Sequence, residues 1–432
     1  MSRQSADAGC GAVCSRWWGV VRWAAASRAA VLALALAGRA VIGDHDASAQ
    51  LVVAEAAGSL AARAARAVAL VALRWDALYF VHIAGGGYVY EQEHAFFPLL
   101  PALMRLAADT VLAPVAAAVG APAALALAGA AVSNVCFVLA AATLYELGCR
   151  TLRDERLAHA AALLYAWAPS AMFMSAAYTE SLFAWLVFTA LVRVARRQHV
   201  RAALWLGAAG LCRANGVAFA GFLVWDVAVR PGALRGRAAA ARAAAWAAAL
   251  AAVAALGAAA FQAYGYHTLC RLAPAPRPFC GRTPPLAYGF VQDAYWDVGF
   301  LRYYAWQQLP NFALAAPMAA LSAAGLAAYA RHDPLRLATL GRRRSRRDRA
   351  LGFLGDALLP HVYLWALLLG LAATTMHVQV VTRFFSSVPA VFWFAAHAVA
   401  AGGRAARAAV VGYFAGYGLA GAVLFGCFLP PA

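Results

Sequence analysis

Apolar stretches of about twenty residues, long enough for a helix to cross the roughly 30 Å hydrocarbon layer of a bilayer, recur along the chain and are separated by clusters rich in arginine. A chain so patterned has few alternatives to a bundle of membrane helices, because lipid leaves every backbone polar group to be satisfied from within the protein. The stretches fall at 17–43, 121–147, 157–175, 178–194, 204–229, 243–264, 309–330, 353–374, 388–401 and 408–428. They predict about ten or eleven spans, depending on whether 204–229 is counted as a hairpin. Composition agrees: 64% of the 432 residues are hydrophobic and 12% are charged, against about 25% charged in soluble domains. The expected fold class is an all-α polytopic membrane protein.

The net charge of +18 comes from arginine alone, since the chain has no lysine. In a soluble protein such a balance would suggest nucleic acid; between membrane spans it does not, and no nucleic-acid partner is expected. Clusters at 150–156, 193–201, 230–242, 331–349 and 404–407 are assigned to the cytosol by the positive-inside rule, together with the N-terminal segment 1–16. For the chain to return to the cytosol between Arg201 and Arg230, the stretch 204–229 must turn back near 211–216. The domain organisation expected is one membrane domain over 17–428 and a C-terminal tail at 429–432. That domain has a first luminal loop at 44–120 carrying surface helices, a second at 265–308, and a cytosolic Arg-rich loop at 331–352. The run RRRSRRDR at 342–349 reads as a stop signal facing anionic cytosolic lipid. Cys270 and Cys280 bracket a proline-rich part of the second loop and can pair if that loop faces an oxidising lumen.

Polar residues at a membrane edge are costly and mark candidate sites. Five blocks lie on the expected outer side. In RWDALYFVHIAGGGYVYEQEHAFFPLLP, residues 74–101, Trp75 and Asp76 open a helical segment, where Asp76 is either a helix cap or a general base; His94 either stabilises a leaving phosphate or bonds a backbone carbonyl. Glu180, in YTES at 178–181, bonds sugar hydroxyls or caps the next helix. Arg213 and Asn215, in CRANG, lie at the hairpin tip, where an arginine suits a phosphate or snorkels to the interface. The fourth block, VQDAYWDVGFLRYYAWQQLPN at 291–311, carries Tyr295, Trp296, Asp297, Arg302, Gln308 and Asn311, suiting carbohydrate and lipid headgroups or an interfacial aromatic belt. The fifth, HVQVVTRF at 377–384, supplies His377, Gln379 and Arg383 as donors for a phosphate sugar.

The chain contains no GxxxxGK[ST], HExxH, GxSxG or strand-linked GxGxxG, so soluble nucleotides, zinc proteolysis and serine hydrolysis lose support. No cofactor and no metal ligand set is expected. An extracytosolic site has no nucleotide sugar available, which leaves a lipid-phosphate sugar as the natural donor.

The blocks resemble the GPI mannosyltransferase 2 (PIG-V-like) family: residues 74–101, Ala168 to Phe183, CRANG at 212–216, Gln292 to Pro317 and Met376 to Phe394 follow in family order. The loop 265–285 looks shorter than in animal members. The resemblance implies a GT-C-type glycosyltransferase of the endoplasmic reticulum membrane, multi-pass with a luminal site, whose first luminal loop supplies the catalytic aspartate. It implies dolichyl phosphate mannose as donor and the mannosylated GPI precursor as acceptor, joined by an α-1,6 linkage that adds the second mannose. A small membrane-anchored accessory subunit is also implied. A β-linked donor giving an α-mannoside requires inversion, which needs one base and no nucleophilic carboxylate, and basic groups to stabilise the departing phosphate.

Asp76 is the expected base, with Asp44, Asp46 and Asp297 as competitors. His94, Arg213, Arg302 and Arg383 are expected around the donor phosphate. Trp75, Glu180, Asn215, Tyr295, Trp296, Asp297, Gln308, Asn311, His377 and Gln379 are expected at the sugars and the acceptor. The rival readings are another polyprenyl-phosphate-sugar transferase, such as a protein O-mannosyltransferase, and a lipid or solute transporter. A transporter would favour internal repeats with paired broken helices, and the block at 75–101 has no evident repeat in the second half.

Overall fold

A computed structural model describes residues 14–53, 59–230, 236–343 and 351–430. Most of the 1–16 segment, residues 344–349 of the arginine run and the last two residues of the tail lie outside the described residues. All regular structure among the described residues is helical.

Among the described residues, six helices are long and apolar enough to cross a membrane: Arg16–Ile42, Ala121–Leu152, Arg237–Arg271, Trp306–His332, Asp356–Thr374 and Arg404–Gly426. Three further apolar pairs are sharply bent, Leu60–Ala72 with Asp76–Gly86 by 115°, Leu99–Asp109 with Ala113–Val119 by 86°, and Val378–Ser387 with Pro389–Ala401 by 91°. Counting each pair as one broken span gives up to nine, against the ten or eleven expected from hydropathy. The difference has two sources. The first expected outer loop is itself apolar and folds into two of the bent pairs. The expected spans 157–175, 178–194 and 204–229 form helices too short for the length criterion: Glu155–Tyr165 has 11 residues, Glu180–Ala195 has 16 and His199–Gly210 has 12.

The Ala121–Leu152 helix runs through the middle, packed against Glu155–Tyr165, Glu180–Ala195, Cys14–Ile42 and the first bent pair. Between Tyr165 and Glu180 the chain is irregular apart from one short helical turn at Ala171–Met174, yet buried, which is tolerated at membrane depth only where other groups satisfy the backbone. Arg28, 4% exposed, donates to the carbonyls of Ala166 (2.8 Å) and Ala171 (2.7 Å) and to the Ser175 hydroxyl (3.0 Å). Asn134 donates to the Ser175 carbonyl and Ser133 to that of Tyr178. An intramembrane arginine thus holds in place the segment that leads to Thr179 and Glu180.

The hairpin expected within 204–229 turns at Leu211 to Arg213, after the His199–Gly210 helix. Its first arm crosses Arg237–Tyr266 so closely that a Cβ on Gly257 would be driven into the Gly207 carbonyl, the small-residue contact that lets membrane helices approach.

Candidate active site

A cavity of about 770 Å³ gathers residues from all five outer blocks, among them Trp75, Asp76, Arg213, Trp296, His377 and Arg383. Its size suits a small-molecule or headgroup site. At its base runs a chain of ion pairs. Arg383 donates from Nη2 to Asp76 Oδ2 (2.8 Å) and from Nε to Glu180 Oε1 (2.8 Å), and Arg213 Nη1 reaches the same Glu180 oxygen at 3.0 Å and the Thr179 hydroxyl at 3.2 Å. The Glu180 side chain is fully buried, whereas that of Asp76 keeps 31% of its surface. One buried carboxylate therefore holds two guanidiniums side by side, and a second, accessible carboxylate stands beside them. Such a pair of guanidiniums is matched to a phosphate. Asn215 and Gln379 also line the cavity, and Asn215 Nδ2 and Gln379 Oε1 are buried without a partner in the protein, leaving a donor and an acceptor for a polar ligand.

Each side chain is fixed by its local sequence. Trp75 takes φ 43°, a region that costs a bulky residue roughly 1–3 kcal/mol. It is held there by edge-to-face packing on Phe425 and Phe428 at 5.1 and 5.0 Å. Just before it, Arg74 is buried, donating to Asp44 Oδ1 (2.6 Å) and the Gly426 carbonyl (2.7 Å). The helix Asp76–Gly86 can therefore start only at Asp76, with the carboxylate at its positive end. Arg383 lies over the rings of Phe173 and Tyr178, 4.5 and 4.9 Å from their centroids. On the Ala287–Trp296 helix, Tyr288, Gln292 and Trp296 all line the cavity; their spacing of four puts them on one face.

The family model described as Mannosyltransferase (PIG-V) matches residues 17–432. The chain belongs to that family. It is 33% identical over 413 residues to the "GPI alpha-1,6-mannosyltransferase 2" of Homo sapiens, covering 88% of this chain and 83% of the relative. It is 34% identical over 398 residues to the "GPI mannosyltransferase 2" of Chaetomium globosum, covering 83% of each. No solved structure matches it. As a PIG-V family member the protein is a glycosyltransferase, and the cavity is its candidate active site.

In this PIG-V mannosyltransferase several expected site residues stand away from the cavity. His94 is 3% exposed and both ring nitrogens are engaged, with the Glu91 carbonyl at 3.2 Å and the Thr268 hydroxyl at 3.1 Å. Burial pushes its imidazole below the usual histidine value, and both nitrogens are spent on partners inside the protein, outside the lining of the cavity. Arg302 is half exposed and paired with Asp293 and with Asp297 at 3.3 Å. Asp297 is 79% exposed, and Tyr295 donates outward to Glu91 at 3.2 Å. The fourth block thus divides: Trp296 faces in, while Tyr295, Phe300, Tyr304 and Trp306 are exposed. Gln308 and Asn311 bond each other at 2.7 Å, and Asn311 reaches the Tyr303 hydroxyl at 2.8 Å. The Tyr303 ring stacks on His377, so Gln308 and Asn311 support a lining residue from behind. His377 Nε2 donates to the Trp296 carbonyl (2.7 Å), which fixes its tautomer. Asp44 belongs to Arg39 and Arg74, and Asp46 turns its carboxylate to the Ser48 amide. Asp76 is the acidic residue among those lining the cavity. Tyr288, Gln292 and Thr179 were missed as candidates, although the i, i+4, i+8 spacing of Tyr288, Gln292 and Trp296 was readable.

Proposed function

We propose that this chain transfers the second mannose, in α-1,6 linkage, from dolichyl phosphate mannose to the mannosylated GPI precursor at the luminal face of the endoplasmic reticulum. The curated relatives carry the names of this activity. The observation that carries the mechanism is the chain Asp76, Arg383, Glu180, Arg213 at the base of the cavity. The 6-hydroxyl of the acceptor's first mannose attacks C1 of the donor from the face opposite the phosphate, and Asp76 takes its proton. The C1–O bond breaks, its electron pair passes to the phosphate oxygen, and dolichyl phosphate leaves. Arg383 and Arg213 neutralise the charge that develops there. In the free protein Arg383 bonds Asp76; donor phosphate competes for that guanidinium and frees the carboxylate to act as a base.

Two features support a lipid-linked donor met in the lumen. An apolar groove of about 630 Å³ shares Phe97, Ala214, Tyr288 and Gly289 with the cavity, and a polyprenyl chain can lie along it. The stretch just before the helix that supplies Tyr288, Gln292 and Trp296 is closed by the Cys270–Cys280 disulfide, which belongs in an oxidising compartment. A catalytic carboxylate on the first outer segment accords with the GT-C architecture, which is part of this proposal, as is the accessory subunit. The test is complementation of cells blocked at the second GPI mannose, with analysis of the accumulated glycolipid. Restoration of the two-mannose intermediate supports the reading. Mannosylation of a Ser/Thr peptide without that restoration favours a protein O-mannosyltransferase.

A further inference from the structure

A second cavity, of about 610 Å³, shares no residue with the first. It lies near the C-terminal end of the Ala121–Leu152 helix, where it is lined by Leu147 to Arg153. Ser133 of the same helix touches the first site's Tyr178, about 20 Å away along the axis. Arg150, Arg153, Arg197, Arg230 and Arg336 line it against Asp226 and Asp356, so segments assigned to the cytosol by their arginines meet here.

Arg150 pairs with Glu146 at 2.9 Å, and the two lining acids do not consume the charge of the other four arginines. Asp226 alone takes His199 at 2.8 Å, Arg197, and Arg230 at 3.4 Å. Arg336 is 3% exposed. Its Nη1 donates to the Leu354 carbonyl (3.1 Å) and Asp356 Oδ1 (2.9 Å), whereas Nε and Nη2 are buried without a partner in the protein. His361, 6% exposed, also lines the cavity, and its Nδ1 is likewise without a partner. A guanidinium buried with two of its nitrogens unpaired is costly, and an anion in the cavity removes that cost. Phe222, Trp225, Leu351 and Leu359 complete the lining, giving one charged wall and one apolar wall.

We propose that this cavity binds a phosphate anion, and that the anion is the headgroup of an anionic phospholipid of the cytosolic leaflet. The guanidinium fork matches phosphate oxygens, the apolar wall takes the glycerol and first acyl carbons, and anionic lipids are concentrated in that leaflet. This site is separate from the transfer reaction.

The test is native mass spectrometry of the full chain in detergent, titrated with phosphatidic acid, phosphatidylcholine or inorganic phosphate. Phosphatidic acid is expected to bind at least tenfold more tightly than phosphatidylcholine. Arg336→Gln should remove that preference. Should that variant fail to fold, the double change Arg153→Gln with Arg230→Gln, both at exposed positions, should weaken phosphatidic acid binding at least tenfold with the fold intact. Equal binding of the two lipids, or an undiminished preference in the double variant, overturns the site. Inorganic phosphate binding as tightly as phosphatidic acid overturns the lipid assignment.

Discussion

At the scale of single residues, the site separates charges that act on ligand from charges that hold the protein. Arg213 and Arg383 share the buried Glu180, whereas Arg302 is an exposed group away from the cavity, paired with Asp293 and Asp297. Arg213→Gln and Arg383→Gln should each weaken donor binding by about 1.5–3 kcal/mol, the size of a charge-assisted contact. Arg302→Gln should leave it within a factor of about two; titration of each purified variant with dolichyl phosphate mannose checks the contrast. Asp44 is different in kind. Its side chain is 4% exposed and its partner Arg74 is fully buried. Asp44→Asn should cost about 3–5 kcal/mol of stability, since it strands a buried cation, with activity per folded molecule retained. Although burial works the other way, the Gln50 hydrogen bond and the Arg74 and Arg39 charges hold the Asp44 carboxyl below its usual range. The stabilisation is therefore complete above the unfolded carboxylate value of about 4 and is lost as pH falls through the lower folded value. Melting curves should show this acid loss in the parent and a smaller one in Asp44→Asn.

At the scale of elements, the segment between Tyr165 and Glu180 is ordered by side chains from other helices. Arg28→Met leaves the Ala166 and Ala171 carbonyls without their donor. It should lower thermal stability and, because this segment leads to Thr179 and Glu180, weaken donor binding as well; unchanged melting and unchanged binding would contradict the arrangement. This segment also shows where sequence reading stops. Hydropathy makes 157–175 a span, but it does not tell that the helix ends at Tyr165 and that Arg28, far away in the chain, takes over its carbonyls. The blocks that hold Asp76, Glu180, Arg213 and Arg383 were legible because polar residues at a membrane edge need a reason to be there. The partners of His94, Gln308 and Asn311 were not, because a histidine or amide satisfied by its own protein looks in sequence like one presented to a ligand. Helical spacing pointed to Tyr288 through Trp296, and the aromatic density of that block concealed it.

At the scale of the whole molecule, residues from four of the five arginine clusters line one cavity and residues from the outer blocks line another, and the positive-inside rule assigns the former to the cytosol. Ser345→Cys should react with a membrane-impermeant maleimide from the cytosolic face, and labelling from the lumen would invert the topology. With that orientation the carboxylate that accepts the acceptor's proton is luminal, which makes Asp76→Asn the most direct test of the account. The amide keeps the shape of the side chain and removes its basicity, and a positioned base contributes about 10²–10⁴ in rate. Transfer from dolichyl phosphate mannose by the purified Asp76→Asn variant should fall at least 100-fold, with folding and donor binding preserved. Near-normal turnover in Asp76→Asn would contradict the assignment and place the base elsewhere.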